Sequence, residues 1–299
     1  MAATRPPEME DWLNRRIYHP LSQRLAAALA STPVTPNMVS MVSGSMIVLA
    51  GVLYVGLSWP LSVLLGLLAH LLWHVFDGAD GDLARMTGKT SPLGEMIDGL
   101  CDYGGHFVLY NIVGIALFLE GDIGHWIWPI GYAAGLSRIV QSNHVESHRR
   151  IYLWRAYGVP WLKQARAEPA GRSGRVTRPI ADAYVALAAV VNPVSERADR
   201  AMGKAAADPE IQRRARALCR QSFLSTRGLQ LFLGPNYRTI ALGVSMALGS
   251  PLWFFLYEAV LLNLVLVWSI VRQKRQNERL AALLEAELEG SAQLRMPST

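Results

Sequence analysis

A chain of 299 residues with 51% hydrophobic positions, only 17% charged residues and a mean hydropathy of +0.19 is too apolar for an ordinary soluble domain, so a polytopic membrane protein is the starting class. The formal net charge of +6 admits either nucleic acid or anionic lipid as a partner, and its distribution along the chain has to decide. The only two cysteines, Cys101 and Cys219, stand in unrelated contexts, which excludes a disulfide framework and a cysteine-paired zinc site.

The amino terminus carries Glu8, Glu10 and Asp11 ahead of any apolar run, which does not fit a cleavable leader. Residues 8–30 intersperse Trp12, Ile17, Leu21, Leu25 and Leu29 among charged positions and predict an interfacial helix, with a solvated leader packed on the rest as the plainer alternative. Residues 38–59 hold no charge and, at about 1.5 Å rise per residue, cross a hydrocarbon layer of roughly 30 Å. After Pro60 a second apolar run covers 61–76 and can extend through the residues beyond Phe76. A third (about 103–119) and a fourth (about 125–140) flank the acidic turn Glu120-Gly121-Asp122; a fifth near 237–249 and a sixth over 251–271 complete the set. The predicted fold is therefore all-α, a polytopic membrane helix bundle of six transmembrane helices with an N-terminal interfacial helix and a cytoplasmic helical excursion. Its expected divisions are an N-terminal segment 1–37, four spans in 38–140, a basic excursion 141–225, two spans in 226–272 and a tail 273–299.

Lysine and arginine collect on the cytoplasmic side of membrane proteins. The turns at 58–60, 120–125 and 249–250 contain neither, whereas Arg15, Arg16, Arg24, Arg85, Lys89, Arg272, Lys274 and Arg275 fall in segments on the opposite side. Within 141–220, fifteen Lys and Arg stand against seven Asp and Glu. Six crossings would put both termini in the cytoplasm, and the basic balance reads as topology and contact with anionic membrane lipids, with no nucleic acid partner. The stretch 180–194, short and holding Asp182 and Pro193, predicts a helix on the cytoplasmic face. The tail after Val271 predicts an exposed helix or a weak coiled-coil contact.

The segment from His74 to His106 is the informative one. Continued at about 100° per residue, the second helix gathers Asp80, Ala84, Asp77, Gly81 and Arg85 within an arc of roughly 140°. On the third, Gly94, Asp98 and Asp102 recur every four residues and share a face. Acidic groups meeting at the end of a membrane helix repel one another and resist desolvation unless a cation sits among them. Hard divalent ions, commonly shared between carboxylates and substrate phosphates, are the natural partner. Gly81, Ala84 and Gly94 lack bulk where a nucleotide would approach the backbone, and Arg85 offers a planar donor to phosphate oxygens.

The same segment resembles the signature of the CDP-alcohol phosphotransferase family: Asp, two residues, Asp-Gly, two residues, Ala-Arg, eight residues, Gly, three residues, Asp, three residues, Asp. Every fixed position is matched, by Asp77, Asp80, Gly81, Ala84, Arg85, Gly94, Asp98 and Asp102. Thr35-Pro36-Asn37 is similar to the short sequence that opens the membrane domain in this family. The resemblance implies a phosphatidyltransferase-type enzyme of phospholipid biosynthesis that releases CMP. Asp77, Asp80 and Asp98 would be metal ligands, and Asp102 both a ligand and the general base. Gly81, Ala84 and Gly94 would border the cytidine nucleotide, and Arg85 would support its phosphates. It also implies two divalent ions, Mg²⁺ or Mn²⁺, a homodimer, and an active site at the cytoplasmic face.

Donor and acceptor stay open at this level. A CDP-diacylglycerol donor with a polar alcohol acceptor is favoured over CDP-choline or CDP-ethanolamine with a lipid acceptor. Ser91-Pro-Leu-Gly-Glu95 with Cys101-Asp102 is similar to the aminoalcohol branch, and Asp82 to the inositol-phosphate-using one. An ion-coupled transporter is the alternative of another class, since intramembrane acids also mark ion pathways. His70 and His74 read as packed helix residues, His106 as a candidate for substrate contact, Arg138, Arg149, Arg150 and Arg155 as positive-inside anchors, and Glu258 as a buried acid without a partner.

Overall fold

The structure, a computed structural model, describes residues 6–121, 123–159, 191 and 194–293. Asp122 and nearly all of the predicted helix over 180–194 lie outside the described residues. Within them every regular element is helical: α1 His19–Leu29, α2 Pro36–Gly56, α3 Leu61–Thr87, α4 Pro92–Glu120, α5 Ile127–Tyr157, α6 Glu196–Ala205, α7 Pro209–Phe232, α8 Pro235–Ala247, α9 Leu252–Leu256 and α10 Leu262–Gln293. One π-turn, Asn14–Tyr18, leads into α1, and another, Tyr257–Leu261, joins α9 to α10. The expected all-α membrane bundle is what the chain forms.

Among the described residues, four helical stretches have the length and apolarity to cross a membrane: Pro36–Gly56, Leu61–Thr87, Pro92–Glu120 and Leu252–Gly290. Six were expected, and the helices at the fourth and fifth positions differ for distinct reasons. α8 has 13 residues, about 20 Å at 1.5 Å per residue, short of the roughly 30 Å core. α5 is long enough, but its inward face is polar, with Gln141, Asn143, His144, Ser147 and His148 all buried.

The chain divides into two compact units. One comprises Glu10–Arg138 and Pro235–Leu261. Its core is Ile47, Ala50, Tyr54, Ala69, Trp73, Leu109, Tyr110, Val113, Leu117, Leu242, Phe254 and Phe255 with their neighbours, while Leu64, Leu68, Ile115, Leu119 and Val244 point outward. Large apolar side chains on the outside suit a lipid solvent. Small residues let the helices approach closely, as membrane helices do without a hydrophobic drive to associate. A Cβ on Gly105 would come within 3.0 Å of the Gly44 carbonyl, and one on Gly66 within 2.5 Å of the Tyr54 ring. α1 lies on α3 through Ser22, whose hydroxyl donates to the Val75 carbonyl at 2.8 Å, and leaves Trp12, Ile17 and Leu21 exposed.

The other unit comprises Met1–Met9, Ile139–Gly234 and Leu262–Thr299. Tyr152, Ala198, Ala201, Ala215, Cys219, Phe223, Leu280, Ala281 and Leu284 form its apolar core, so the α10 tail is packed along this stretch and not the exposed helix its charge pattern suggests. Polar cross-ties complete it: Gln141 Nε2 to Asn263 Oδ1 at 2.8 Å, Gln230 Nε2 to Ser269 Oγ at 3.0 Å, and Arg155 to Asp199 at 2.7 Å. Glu8 accepts from the hydroxyls of Tyr152 and Tyr157, each at 2.5 Å. Burial raises the Glu8 carboxyl, but these two hydrogen bonds, one from its own backbone and the charge of Arg220 outweigh it and hold the group below the ordinary carboxylate range.

Two measurements test this packing. Gly66→Val should lower stability by about 1–3 kcal/mol through overpacking against Tyr54, read as a reduced thermal midpoint in detergent. A depressed carboxylate stabilises above its unfolded pKa and loses that contribution as pH falls through the folded value. Below about pH 4.5, the midpoint of Glu8→Gln should therefore fall less steeply than that of the wild type, the two curves converging at the acid end.

Candidate active site

Three helix ends build the site, and local sequence sets each of them. α3 stops at Gly88, whose φ of 67° only glycine adopts without strain. α4 restarts three residues later at Ser91, whose hydroxyl caps Gly94 N at 3.0 Å ahead of Pro92 in the first turn. α2 begins in the same manner, with Thr35 capping Met38 N at 3.3 Å and Pro36 following. Between these ends lies an open cavity of about 140 Å³ lined by Asn37, Ser40, Asp80, Gly81, Ala84, Arg85, Gly94 and Asp98 among others. The positions expected to border a nucleotide, Gly81, Ala84, Arg85 and Gly94, therefore share one wall system with two of the four aspartates.

α2 packs against both α3 and α4, and acidic side chains from α3 and α4 reach towards each other alongside it. Because α3 and α4 run antiparallel through a short turn, Asp77 meets Asp102 and Asp80 meets Asp98 at carboxyl contact. Asp77, Asp98 and Asp102 each offer an oxygen, and these atoms lie within 4.8 Å of one another. Asp80 is 5% exposed, and the Ser40 hydroxyl donates to its Oδ2 at 2.6 Å. Two like charges 4 Å apart repel by about 4 kcal/mol at an effective dielectric of 20, and this cluster holds several such pairs. The nearby arginines are committed elsewhere, Arg85 to Asp82 at 2.6 Å and Arg138 to Glu258 at 3.5 Å. An all-oxygen donor set with convergent ligand atoms and no paired arginine fits a hard divalent cation.

Arg85 lies over Gly81, where a Cβ would come within 3.3 Å of its guanidinium. His106 is 5% exposed and both ring nitrogens are engaged: Nδ1 with the Asp102 carbonyl at 2.7 Å, Nε2 with Arg138 at 2.8 Å. It supports Asp102 from behind and has no free nitrogen for a substrate. Two sequence readings are corrected here. Arg138 is a buried partner of His106 and Glu258 rather than a surface anchor, and Glu258 is paired, its other oxygen accepting from Arg238 at 2.9 Å. His70 and His74 are buried as expected, His74 against the Thr239 hydroxyl at 2.9 Å. Arg149 and Arg150 both pair with Glu146, at 2.7 and 2.5 Å.

Ser40, Trp73 and Arg138 were missed from the sequence. Trp73 could have been found, since it precedes Asp77 by one helical turn and so shares its face; the indole Nε1 donates to Asp102 Oδ1 at 2.8 Å. Ser40 and Arg138 belong to other helices, and no spacing within one helix points to them.

Residues 33–153 match the family model for CDP-alcohol phosphatidyltransferase. This stretch is similar to a CDP-alcohol phosphatidyltransferase domain. The match takes in α2, α3, α4 and most of α5, and hence the whole acidic cluster, the cavity wall and Arg138. No curated protein matches the chain. CDP-alcohol phosphatidyltransferases form a transferase family that uses CDP-alcohol donors and alcohol acceptors and depends in general on divalent metals. The match and the long apolar helices together suggest a membrane phosphotransferase, and the acidic cluster lies inside the matched stretch.

Proposed function

We propose that the chain is a membrane CDP-alcohol phosphotransferase of phospholipid biosynthesis that transfers a phosphatidyl group from CDP-diacylglycerol to an alcohol and releases CMP. The observation that carries the reading is the convergence of Asp77, Asp98 and Asp102 to within 4.8 Å, next to an open cavity walled by Asp80, Gly81, Ala84, Arg85 and Gly94.

In this reading Asp77, Asp80, Asp98 and Asp102 hold two divalent ions, Mg²⁺ or Mn²⁺, with Ser40 fixing one oxygen of Asp80. Bound there, the ions would neutralise the carboxylates and polarise the diphosphate of the donor. Gly81, Ala84 and Gly94 let the cytidine nucleotide lie close to the helix backbones. Arg85 turns its guanidinium to the phosphate oxygens. The Asp102 carboxylate takes the proton of the acceptor hydroxyl as its oxygen bonds to the donor's lipid-bearing phosphorus. The bond from that phosphorus to the bridging oxygen breaks, and CMP leaves with both electrons. The distribution of Lys and Arg supports a cytoplasmic active site and cytoplasmic termini, and we read the assembly as a homodimer. The carboxylates sit in the last turns of α3 and the first turns of α4, which favours chemistry at a membrane face over an ion pathway through the midplane.

The purified chain in liposomes with CDP-diacylglycerol, Mg²⁺ and a panel of polar alcohols (inositol phosphate, glycerol phosphate, serine) should release CMP, and chelation with EDTA should abolish it reversibly. Asp102→Asn should slow release by about a hundredfold or more, the scale of a lost general base, with a thermal midpoint no lower than that of the wild type. Release from CDP-choline and diacylglycerol alone would reassign the donor. Cation flux without CMP release from either donor would overturn the enzyme reading in favour of a transporter.

A further inference from the structure

Behind Asp102 runs a series of directed hydrogen bonds that the phosphotransfer reading does not use. Trp73, one turn before Asp77 on α3, donates its indole N–H to Asp102 Oδ1 at 2.8 Å. His106, one turn after Asp102 on α4, bonds through Nδ1 to the Asp102 backbone carbonyl at 2.7 Å. A carbonyl can only accept, so the proton sits on Nδ1 and the lone pair of Nε2 faces outward. Arg138 fills that position, donating to Nε2 at 2.8 Å. Arg138 is in turn tied to Glu258 at 3.5 Å, and Glu258 to Arg238 at 2.9 Å. The Trp73 and His106 rings pack edge to face with centroids 4.6 Å apart, so the two arms of the arrangement brace each other.

Stability alone does not account for these groups. Glu258 and Arg238 are 0% and 1% exposed, and apolar side chains of similar volume would fill the space at no loss, often with a gain. What the polar version adds is direction: the Arg238–Glu258–Arg138–His106 series ends on the Asp102 backbone carbonyl, and the Trp73 N–H separately meets its carboxylate. A carboxylate held by an outer partner presents its oxygen in one orientation, and removing such partners typically weakens metal binding by about 10–100-fold.

We infer that Trp73 and the Arg138–His106 pair are positioning residues for Asp102, holding its carboxylate so that it presents a fixed oxygen to the cluster shared with Asp77 and Asp98. The inference rests on the reading that this cluster binds divalent cations.

Mn²⁺ binding to the purified full-length chain in detergent, followed by electron paramagnetic resonance, tests it without relying on turnover. Trp73→Phe keeps the ring and deletes the N–H. It should raise the Mn²⁺ dissociation constant about tenfold while the metal-free thermal midpoint stays at the wild-type value. Arg138→Lys, which keeps the charge but cannot serve His106 and Glu258 with a planar fork, should weaken Mn²⁺ binding in the same direction and covers the case in which the tryptophan variant folds poorly. Gly66→Val, which destabilises α3 away from the cluster, should leave Mn²⁺ affinity unchanged. Wild-type affinity in both Trp73→Phe and Arg138→Lys, with affinity lost in Asp102→Asn, would overturn the inference and leave the metal cluster standing. Equal weakening in Gly66→Val would overturn it as a mere stability effect, and a wild-type chain that binds no Mn²⁺ would overturn the cluster reading along with it.

Discussion

Mutual repulsion among the carboxylates of Asp77, Asp80, Asp98 and Asp102 is the constraint around which the acidic end of this unit is arranged. Each pair at contact distance opposes folding by several kcal/mol even at a generous dielectric, and the groups lie at the ends of apolar helices where water cannot fully compensate. The local structure brings them together regardless. A glycine-capped stop on α3 and a serine-capped start on α4 turn the chain back on itself so that acidic positions face acidic positions. Such an arrangement is tolerable when a cation completes it, and the family whose model residues 33–153 match depends in general on divalent metals.

The geometry of the open cavity beside the aspartates comes from α2. It lies against both α3 and α4, with Gly44 and Gly105 bringing the α2 and α4 backbones close together. From its first turns it contributes Asn37 and Ser40 to the cavity wall. The Thr-Pro-Asn run before the first span thus has two physical jobs. Thr35 and Pro36 start the helix, and Asn37 lines the space that the acidic helices enclose. Behind the cluster, buried charges from α5, α8 and the π-turn after α9 are satisfied in sequence, Arg238 by Glu258, Glu258 by Arg138, and Arg138 by His106. A π-turn at Glu258 is in keeping with the tendency of such irregularities to occur at functional sites.

The second unit follows a different logic. Apart from the first half of α10, which belongs to the fourth apolar stretch, its helices are amphipathic, α6 most plainly, with Ala198, Ala201, Met202 and Ala205 inward and arginines outward. Ion pairs such as Arg197–Glu285 and Arg214–Glu287 lie on its exposed faces, where each is worth little. Cohesion comes from the buried alanine, cysteine and aromatic contacts and from the amide and hydroxyl ties between α5, α7 and α10.

Much of this protein could be read from the order of residues alone. Charge-free runs specify helices for a lipid solvent because hydrocarbon leaves the backbone no other satisfied state. Spacing of three and four residues along α3 and α4 puts the aspartates and small residues on shared faces because an α-helix repeats every 3.6 residues. Those are properties of one helix at a time, and there the pattern is sufficient. The partners of Asp80, Asp102 and Glu258 were decided only in three dimensions. Ser40 is 40 residues from Asp80, Arg138 is 32 from His106, and Arg138 is 120 from Glu258; no periodicity relates positions on different helices. The polar inward face of α5 belongs to the same class, because a buried glutamine or histidine looks like an exposed one until its neighbours are known. Local geometry specified the ligands, and packing between helices decided what holds them.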